Sequence, residues 1–121
     1  ADFAYPYAET GDIISWAPLW SAILEDLRRD VSIGVMAARF HHCVACVVAE
    51  TASRLCDQHE LQTVVLSGGV FQNRLLLERS SELLRSYGLE VLSPISAPAN
   101  DGGLSLGQAV TCAALRQHGF A

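Results

Sequence analysis

The stretch from Thr63 to Asn73 constrains the fold of this chain more than any other. Its sequence, TVVLSGGVFQN, predicts a buried strand, a glycine turn and a helix start in immediate succession. The strand, Thr63 to Leu66, is aliphatic, as in strands that are covered on both faces. Gly68 and Gly69 let backbone N–H groups approach a ligand without interference from a Cβ atom. The helix predicted from Asn73 to Tyr87 offers unpaired N–H groups and a positive dipole end, so the turn is a candidate phosphate cradle.

Strands and helices alternate through residues 61–121. Gly88 is expected to end the first of these helices, and a second strand follows from Glu90 to Leu92. The segment from Ser93 to Asn100 holds two prolines and is predicted to be a loop. A last helix runs from about Gly102 and Gly103 to Gln117. Two strands separated by one helix predict parallel neighbours with a right-handed crossover.

Helices dominate the first half of the chain. Residues 1–16 fit an extended arm or short strands, with a turn near Gly11. Residues 17–60 predict two helices, the first from Pro18 to about Asp30 and the second, longer one capped by Ser32. The fold expected for residues 1–121 is one α/β lobe, in which a short, mostly parallel sheet packs with four or five helices. Two strands alone make a thin sheet, so either the arm adds strands or the lobe belongs to a larger one.

A second glycine turn, Asn100-Asp101-Gly102-Gly103, opens the last helix and mirrors the first. In a parallel sheet both turns fall at the carboxyl ends of adjacent strands, where open α/β sheets bind ligands. Asp101 is then a candidate carboxylate for a metal ion or a magnesium nucleotide.

Plainer interpretations remain for both turns. Gly68 and Gly69 fit a strand-to-helix connection that merely needs glycine, and no Walker or dinucleotide pattern accompanies them. Asn100 or Asp101 fits a simple helix cap.

The positions of the histidines and cysteines in the sequence favour packed side chains over a metal or redox site. His41 and His42 are adjacent on a predicted helix, so they point in different directions and do not suit one metal ion. Cys43 and Cys46 form a CxxC inside the same helix, without a second CxxC or a preceding strand. We therefore expect reduced, packed thiols rather than a metal or redox site.

The composition of the chain limits the kinds of partner and the location that we expect for it. The chain has 8 basic and 13 acidic residues, and the basic ones form no run that tracks a phosphate backbone, which argues against nucleic acid. Arg39, the histidine pair and Glu50 interrupt the longest apolar region, so no membrane span and no signal peptide are predicted, and a cytoplasmic location is expected. The sequence opens on Ala1 rather than Met, which predicts a piece of a longer protein.

Two long motifs carry a resemblance to a known family. The segments VVLSGGVFQNRLLL, residues 64–77, and PANDGGLSLGQA, residues 98–109, resemble the C-terminal end of the HypF carbamoyltransferases of nickel-iron hydrogenase maturation. The segments around Tyr5-Pro6-Tyr7 and Ala38-Arg39-Phe40-His41 are similar to that family as well, so the resemblance covers nearly the whole chain.

The resemblance implies a partial actin- or sugar-kinase-like lobe and an ATP-dependent reaction. Carbamoyl phosphate is converted to carbamoyl adenylate, and the carbamoyl group passes to the C-terminal cysteine of a HypE-like acceptor protein. By the same resemblance, the nucleotide-binding residues are Ser67, Gly68, Gly69, Val70 and Asn73, with Gly102 and Gly103 in the second turn. Asp101 is the implied ligand of a divalent metal, which is iron, zinc or magnesium. No catalytic residue is assigned.

Other parts of such proteins have no counterpart in these residues. The N-terminal lobe and domains of the family are missing, among them the paired metal-binding histidines, whose helical-turn spacing His41 and His42 lack. The isolated chain is therefore predicted to bind nucleotide poorly, to be inactive, and to form a homodimer through the exposed face of the lobe. The alternatives are a free-standing interaction or scaffold module of the same fold and a related carbamoyltransferase with another acceptor.

Overall fold

The structure, a computed structural model, describes residues 4–94 and 100–119. A hairpin comes first, with strands β1 (Ala8–Thr10) and β2 (Ile13–Ser15), followed by helices α1 (Ala17–Arg28) and α2 (Ile33–His59). Strand β3 (Thr63–Val65), helix α3 (Arg74–Ser86) and strand β4 (Glu90–Leu92) come next, and helix α4 (Leu104–Gln117) is last. Short 3-10 turns, Gly69–Gln72 and Asp101–Gly103, precede α3 and α4. The predicted elements are therefore present, although residues 2, 3 and 95–99 of the predicted arm and loop lie outside the described part.

The predicted parallel pair is confirmed. Strand β3 pairs with β4 in parallel, with Val64 opposite Val91. One further hydrogen bond, from the Leu66 N–H to the Leu92 carbonyl at 2.9 Å, extends the pairing to the start of the glycine turn. Gly88 ends the intervening helix at a φ of 81°, in the left-handed region where glycine carries no Cβ penalty.

The alternative in which the N-terminal arm adds strands to the β3–β4 sheet is wrong. Within the described residues the four strands form two separate two-stranded sheets, and the hairpin is antiparallel. The reason lies just before the hairpin, where Tyr5 packs with Leu19 of α1 and Cys43 of α2. This contact holds the N-terminal segment against the two helices instead of the edge of β3.

Two small cores stabilise the lobe, and α2 contributes to both. The first contains Tyr5, Leu19 and Cys43. The second contains Ala49, Leu66 and Leu84, so it joins α2, the end of β3 and α3. Ser80 of α3 is also fully buried, which indicates that small side chains let α2 and α3 approach closely.

Helix α2 is long and apolar enough, by length and composition, to cross a membrane. An 18-residue window within its 27 residues has a mean hydropathy of 1.3, and 22% of that window is buried. The sequence analysis expected no segment of this kind. Core helices pass the same test, and α2 packs here against α3 and β3.

A buried carboxylate ties the first segment to both long helices. Asp26 of α1 accepts a hydrogen bond from the Tyr5 hydroxyl at 2.7 Å and one from the Arg39 guanidinium at 2.6 Å. These two hydrogen bonds to the ionised form hold the pKa of Asp26 below its ordinary value. A carboxyl whose pKa is lowered in the folded state stabilises the fold above its unfolded pKa, and this contribution is lost as pH falls through the folded value.

Replacing Asp26 by asparagine is therefore expected to lower the stability of the chain at pH 7. Wild-type stability should fall as the pH drops below about 4, the ordinary pKa of an aspartate, and the Asp26→Asn variant should show a shallower fall. Urea unfolding at pH 7 and at pH 3 measures both effects. Asp57→Asn, at an exposed position near the end of α2, is the matched control. A variant as stable as wild type at pH 7 would contradict the role given to this carboxylate.

Candidate functional site

The first glycine turn follows directly after β3, whose last residue Val65 is 63% exposed, so the prediction of a strand covered on both faces is wrong. Leu66 is 3% exposed, and Gly68, two residues later, has φ 104° and ψ 163°. That combination is open essentially to glycine alone. The Phe71 N–H then donates to the Gly68 carbonyl at 3.1 Å and starts the 3-10 turn, while the Phe71 ring packs against the second core. The backbone around Gly68 is thus exposed at the surface but anchored on both sides.

Asn73 connects this turn to two helices. Its Oδ1 accepts a hydrogen bond from the Leu76 N–H at 3.2 Å, which makes Asn73 the N-cap of α3. Its Nδ2 lies 2.8 Å from Nε2 of His41 on α2. The predicted start of the helix is confirmed. The Asn73 amide also holds the turn in place, because its oxygen bonds to α3 and its nitrogen bonds to His41 of α2. The His41 contact spans 32 residues of sequence, and no local pattern indicated it.

The second glycine turn is capped by Asn100. Its Oδ1 accepts from the Gly102 N–H at 3.0 Å, and the Gly103 N–H donates to the Asn100 carbonyl at 3.0 Å. The prediction that Asn100 or Asp101 caps the last helix is therefore wrong: Asn100 caps the 3-10 turn Asp101–Gly103, and Gly103 stands at the N-cap of α4 without a side-chain cap. Asp101 is exposed beside Asn100.

An open cleft of about 1070 Å³ joins the two turns. Four of the predicted site residues lie in its wall: Ser67, Gly68, Asp101 and Gly103. The others, namely Gly69, Val70, Asn73 and Gly102, lie in the same two turns or at the N-cap of α3 but do not line the cleft. The expected juxtaposition of the two turns at the carboxyl ends of β3 and β4 is therefore present.

Helix α4 supplies the rest of the described wall, which sequence reasoning had not assigned to the site. Leu104, Leu106, Val110 and Leu115 are between 46% and 63% exposed. Arg116 is the only charged residue in this helix. An apolar helix in a soluble domain is usually buried. Helix α4 has the composition of such a buried helix, but its apolar side chains are exposed at the surface. Self-association through this face stays a prediction.

The described residues do not form a complete metal site. Within residues 4–94 and 100–119, no group of three or more histidine, cysteine, aspartate or glutamate side chains is placed to hold a metal ion. Asp101 would supply a single carboxylate, whereas hard divalent cations take about six ligands, many of them from the protein or substrate. A metal therefore does not fit the residues of this chain alone.

The cysteines are free, and none lies in a reactive setting that the structure reveals. Of the pair predicted to be packed, Cys43 is buried and Cys46 is half-buried, while Cys56 is buried and Cys112 is exposed on α4. Burial raises the pKa of both the Cys43 and the Cys46 thiol, and the Glu50 carboxylate adds to the effect on Cys46. Raised values favour the thiol over the nucleophilic thiolate.

Comparison with known proteins identifies the class of fold and of activity. Residues 1–108 match a family model described as the second subdomain of a carbamoyltransferase Kae1-like domain. Carbamoyltransferase HypF of Rhodobacter capsulatus is 36% identical over 86% of this chain. A tRNA N6-adenosine threonylcarbamoyltransferase of a Synechococcus strain is 31% identical over 77% of the chain.

Solved structures agree with these relatives. The crystal structure of full-length HypF in a phosphate- and nucleotide-bound form matches 91% of this chain with a TM-score of 0.84 and 37% identity. The chain spans only 13% of the length of the Rhodobacter relative and 15% of that solved chain.

Proposed function

The chain belongs to the HypF family of carbamoyltransferases, and from that premise we propose that it forms the nucleotide-binding half of a carbamoyltransferase cleft. The observation that carries the proposal is the meeting of the two glycine turns in one cleft beyond β3 and β4. This half is a partial actin- or sugar-kinase-like lobe, and the other half comes from the first subdomain. The complete protein works in the cytoplasm.

The residues of the chain fit a nucleotide. A Cβ atom built on Gly68 or Gly69 would meet no heavy atom within 4 Å, so the space over the turn is open to a ligand. A cleft of this volume is at the upper end of the usual range for small-molecule sites. The N-terminus of α3 adds a positive dipole end near the phosphates, and the apolar side of α4 suits the base and sugar.

In the complete protein, water releases phosphate from carbamoyl phosphate, and the carbamate attacks the α-phosphate of ATP to give carbamoyl adenylate and pyrophosphate; AMP leaves when the carbamoyl group is passed on. This chain binds and orients the nucleotide through the backbone at Ser67 and Gly68, with Asp101 across the cleft. The activated carbamoyl group then passes to the C-terminal cysteine of a HypE-like acceptor. Support for this reaction comes from the HypF relatives.

A related activity with another acceptor is the second candidate. The likeness to a tRNA threonylcarbamoyltransferase favours it, since that protein is 31% identical over 93 residues. An interaction module of the same fold is the third, and the exposed apolar residues of α1 and α2, such as Trp20 and Ile33, favour it.

Titration with ATP tests the half-cleft directly. The isolated chain is compared with a chimera in which residues 1–121, which include the whole of α4, replace the matching segment of Rhodobacter capsulatus HypF. We expect the isolated chain to bind ATP at least about tenfold more weakly than the chimera, because a ligand that contacts one wall forfeits the contacts of the other. Equal, tight binding by both would contradict the half-cleft. No binding by a folded chimera would contradict the proposed function.

A further inference from the structure

His41 occupies a defined place on α2. Its Nδ1 lies 2.8 Å from the Ala37 carbonyl oxygen, one helical turn earlier. The Phe40 ring meets the imidazole edge-on, with ring centroids 6.1 Å apart and an interplanar angle of 84°. A carbonyl oxygen only accepts, so Nδ1 is the protonated nitrogen and Nε2 of the neutral ring is the acceptor.

The orientation of the Asn73 amide supports the same assignment of the two His41 ring nitrogens. Its Oδ1 faces the Leu76 N–H, which only donates, so the orientation of the amide is fixed by the cap. The Nδ2 group therefore faces His41 and donates to Nε2 at 2.8 Å. In the series of hydrogen bonds that links Ala37, His41, Asn73 and Leu76, each donor therefore has an acceptor. This series is consistent with the neutral His41 tautomer that carries its proton on Nδ1.

We infer that His41 is a positioning residue for the nucleotide turn. It acts through Asn73, which ends the 3-10 turn and whose own N–H donates to the Val70 carbonyl at 3.2 Å. The role rests on the proposed function, since positioning matters for catalysis only where a nucleotide binds. His41 makes no contact with the cleft wall itself.

The turn needs such an anchor because it is otherwise thinly held. Its exposed residues include Val70 at 59%, and the packing contact described for it is the Phe71 ring. His41 supplies a second attachment, to a helix whose middle is buried in both cores. With both attachments in place, Gly68 presents one backbone conformation to a ligand before that ligand arrives, which reduces the ordering cost of binding.

Two substitutions separate this role from simple packing. His41→Leu removes the acceptor and fills similar space, whereas His41→Gln restores an acceptor through its side-chain carbonyl. In the chimera we expect His41→Leu to weaken ATP binding by about 3- to 10-fold, as for the loss of one hydrogen bond. His41→Gln should recover most of that loss, and His59→Leu, near the end of α2, should have no effect. The change should appear in the KM for ATP rather than in kcat.

Asn73→Ser completes the test, because serine caps a helix well but is too short to reach His41. If the two residues act together, His41→Leu costs nothing further in the Asn73→Ser background. Equal ATP binding by wild type and His41→Leu overturns the inference. Equal losses in His41→Leu and His41→Gln overturn it as well.

Nuclear magnetic resonance of the 121-residue chain gives a readout that needs no nucleotide. The ¹⁵N shifts of His41 should show a protonated Nδ1 and an unprotonated Nε2. His41→Leu should move the amide signals of Gly68 and Gly69, and His41→Gln should move them less. The opposite tautomer, or unmoved glycine signals, rejects the inference even where ATP binds. If the chimera binds no ATP, the proposed function fails, and these spectra still decide whether His41 holds the turn.

Discussion

Gly68→Ala is expected to weaken ATP binding by the chimera by about 10- to 100-fold. Gly68 adopts φ 104° and ψ 163°, a conformation that costs an L-residue on the order of 1–3 kcal/mol. No heavy atom lies within 4 Å of the Cβ that alanine would add, so the penalty arises in the backbone and not from collision within the chain. If the turn relaxes to escape the strain, it has to recover the strained shape to bind, and each 1.4 kcal/mol is a factor of ten in affinity.

The backbone strain in Gly68→Ala can also lower the stability of the chain. If the alanine variant keeps the native turn, the free energy of unfolding falls instead, so titration with ATP and urea unfolding are measured together. Gly34→Ala is the matched control, because Gly34 lies in the first turn of α2 and also has open space around its Cβ position. Alanine in a helix is favoured over glycine by roughly 0.5–1 kcal/mol, so this control should gain stability and leave ATP binding unchanged. Unchanged affinity together with unchanged stability in Gly68→Ala would refute the importance of the turn.

Local sequence rules predicted most of the elements around this turn. Gly88 ended α3, Ser32 capped α2, and the β3-α3-β4 alternation gave the parallel pair, because each depends on residues close in sequence. The hairpin was expected as an arm or short strands, but its separation from the other sheet was not. That outcome depends on Tyr5 reaching Asp26 and Cys43, contacts of 21 residues or more that no local pattern contains.

The burial of the apolar residues of α2 could not be predicted from local sequence patterns either. Val35, Phe40 and Leu55 of α2 are apolar, yet they are 42%, 38% and 44% exposed. Small residues such as Ala45 and Ala49 are buried instead, since α2 and α3 cross closely and close crossing favours small side chains. Hydrophobic periodicity reports which face avoids water in the complete protein. The chain spans 13% of the length of its Rhodobacter relative, and we expect part of that face to pack against the rest of such a protein.

For the site, the sequence located the two turns but not how they are held. Asn100 and Asp101 were equal candidates for the cap, because both residue types cap helices. The structure separates them, since Asn100 takes the Gly102 N–H and leaves the Asp101 carboxylate beside the cleft. That separation makes it feasible to change Asp101 without disturbing the turn.

Asp101→Ala in the chimera is accordingly expected to reduce carbamoyl transfer by at least about 100-fold, as for loss of a principal electrostatic contact in an active site. We expect a divalent ion shared between Asp101 and the phosphates of the proposed nucleotide, because a carboxylate that faces phosphates repels them unless a cation lies between. The other ligands of such an ion would come from beyond the described residues of this chain, because those residues hold no group of three or more histidine, cysteine, aspartate or glutamate side chains placed to hold a metal. Transfer rate and metal content per chimera are both measured, and both should fall.

Two controls make the result specific. Asp57→Ala removes an exposed carboxylate near the end of α2 and should change neither quantity. Asn100→Ala removes the cap of the 3-10 turn Asp101–Gly103 instead, so it should destabilise that turn while the Asp101 carboxylate remains. Full transfer with unchanged metal content in Asp101→Ala would remove this residue from the metal site. Lost transfer with unchanged metal content would also reject the shared ion, because the carboxylate would then act on the nucleotide or the acceptor without holding the cation.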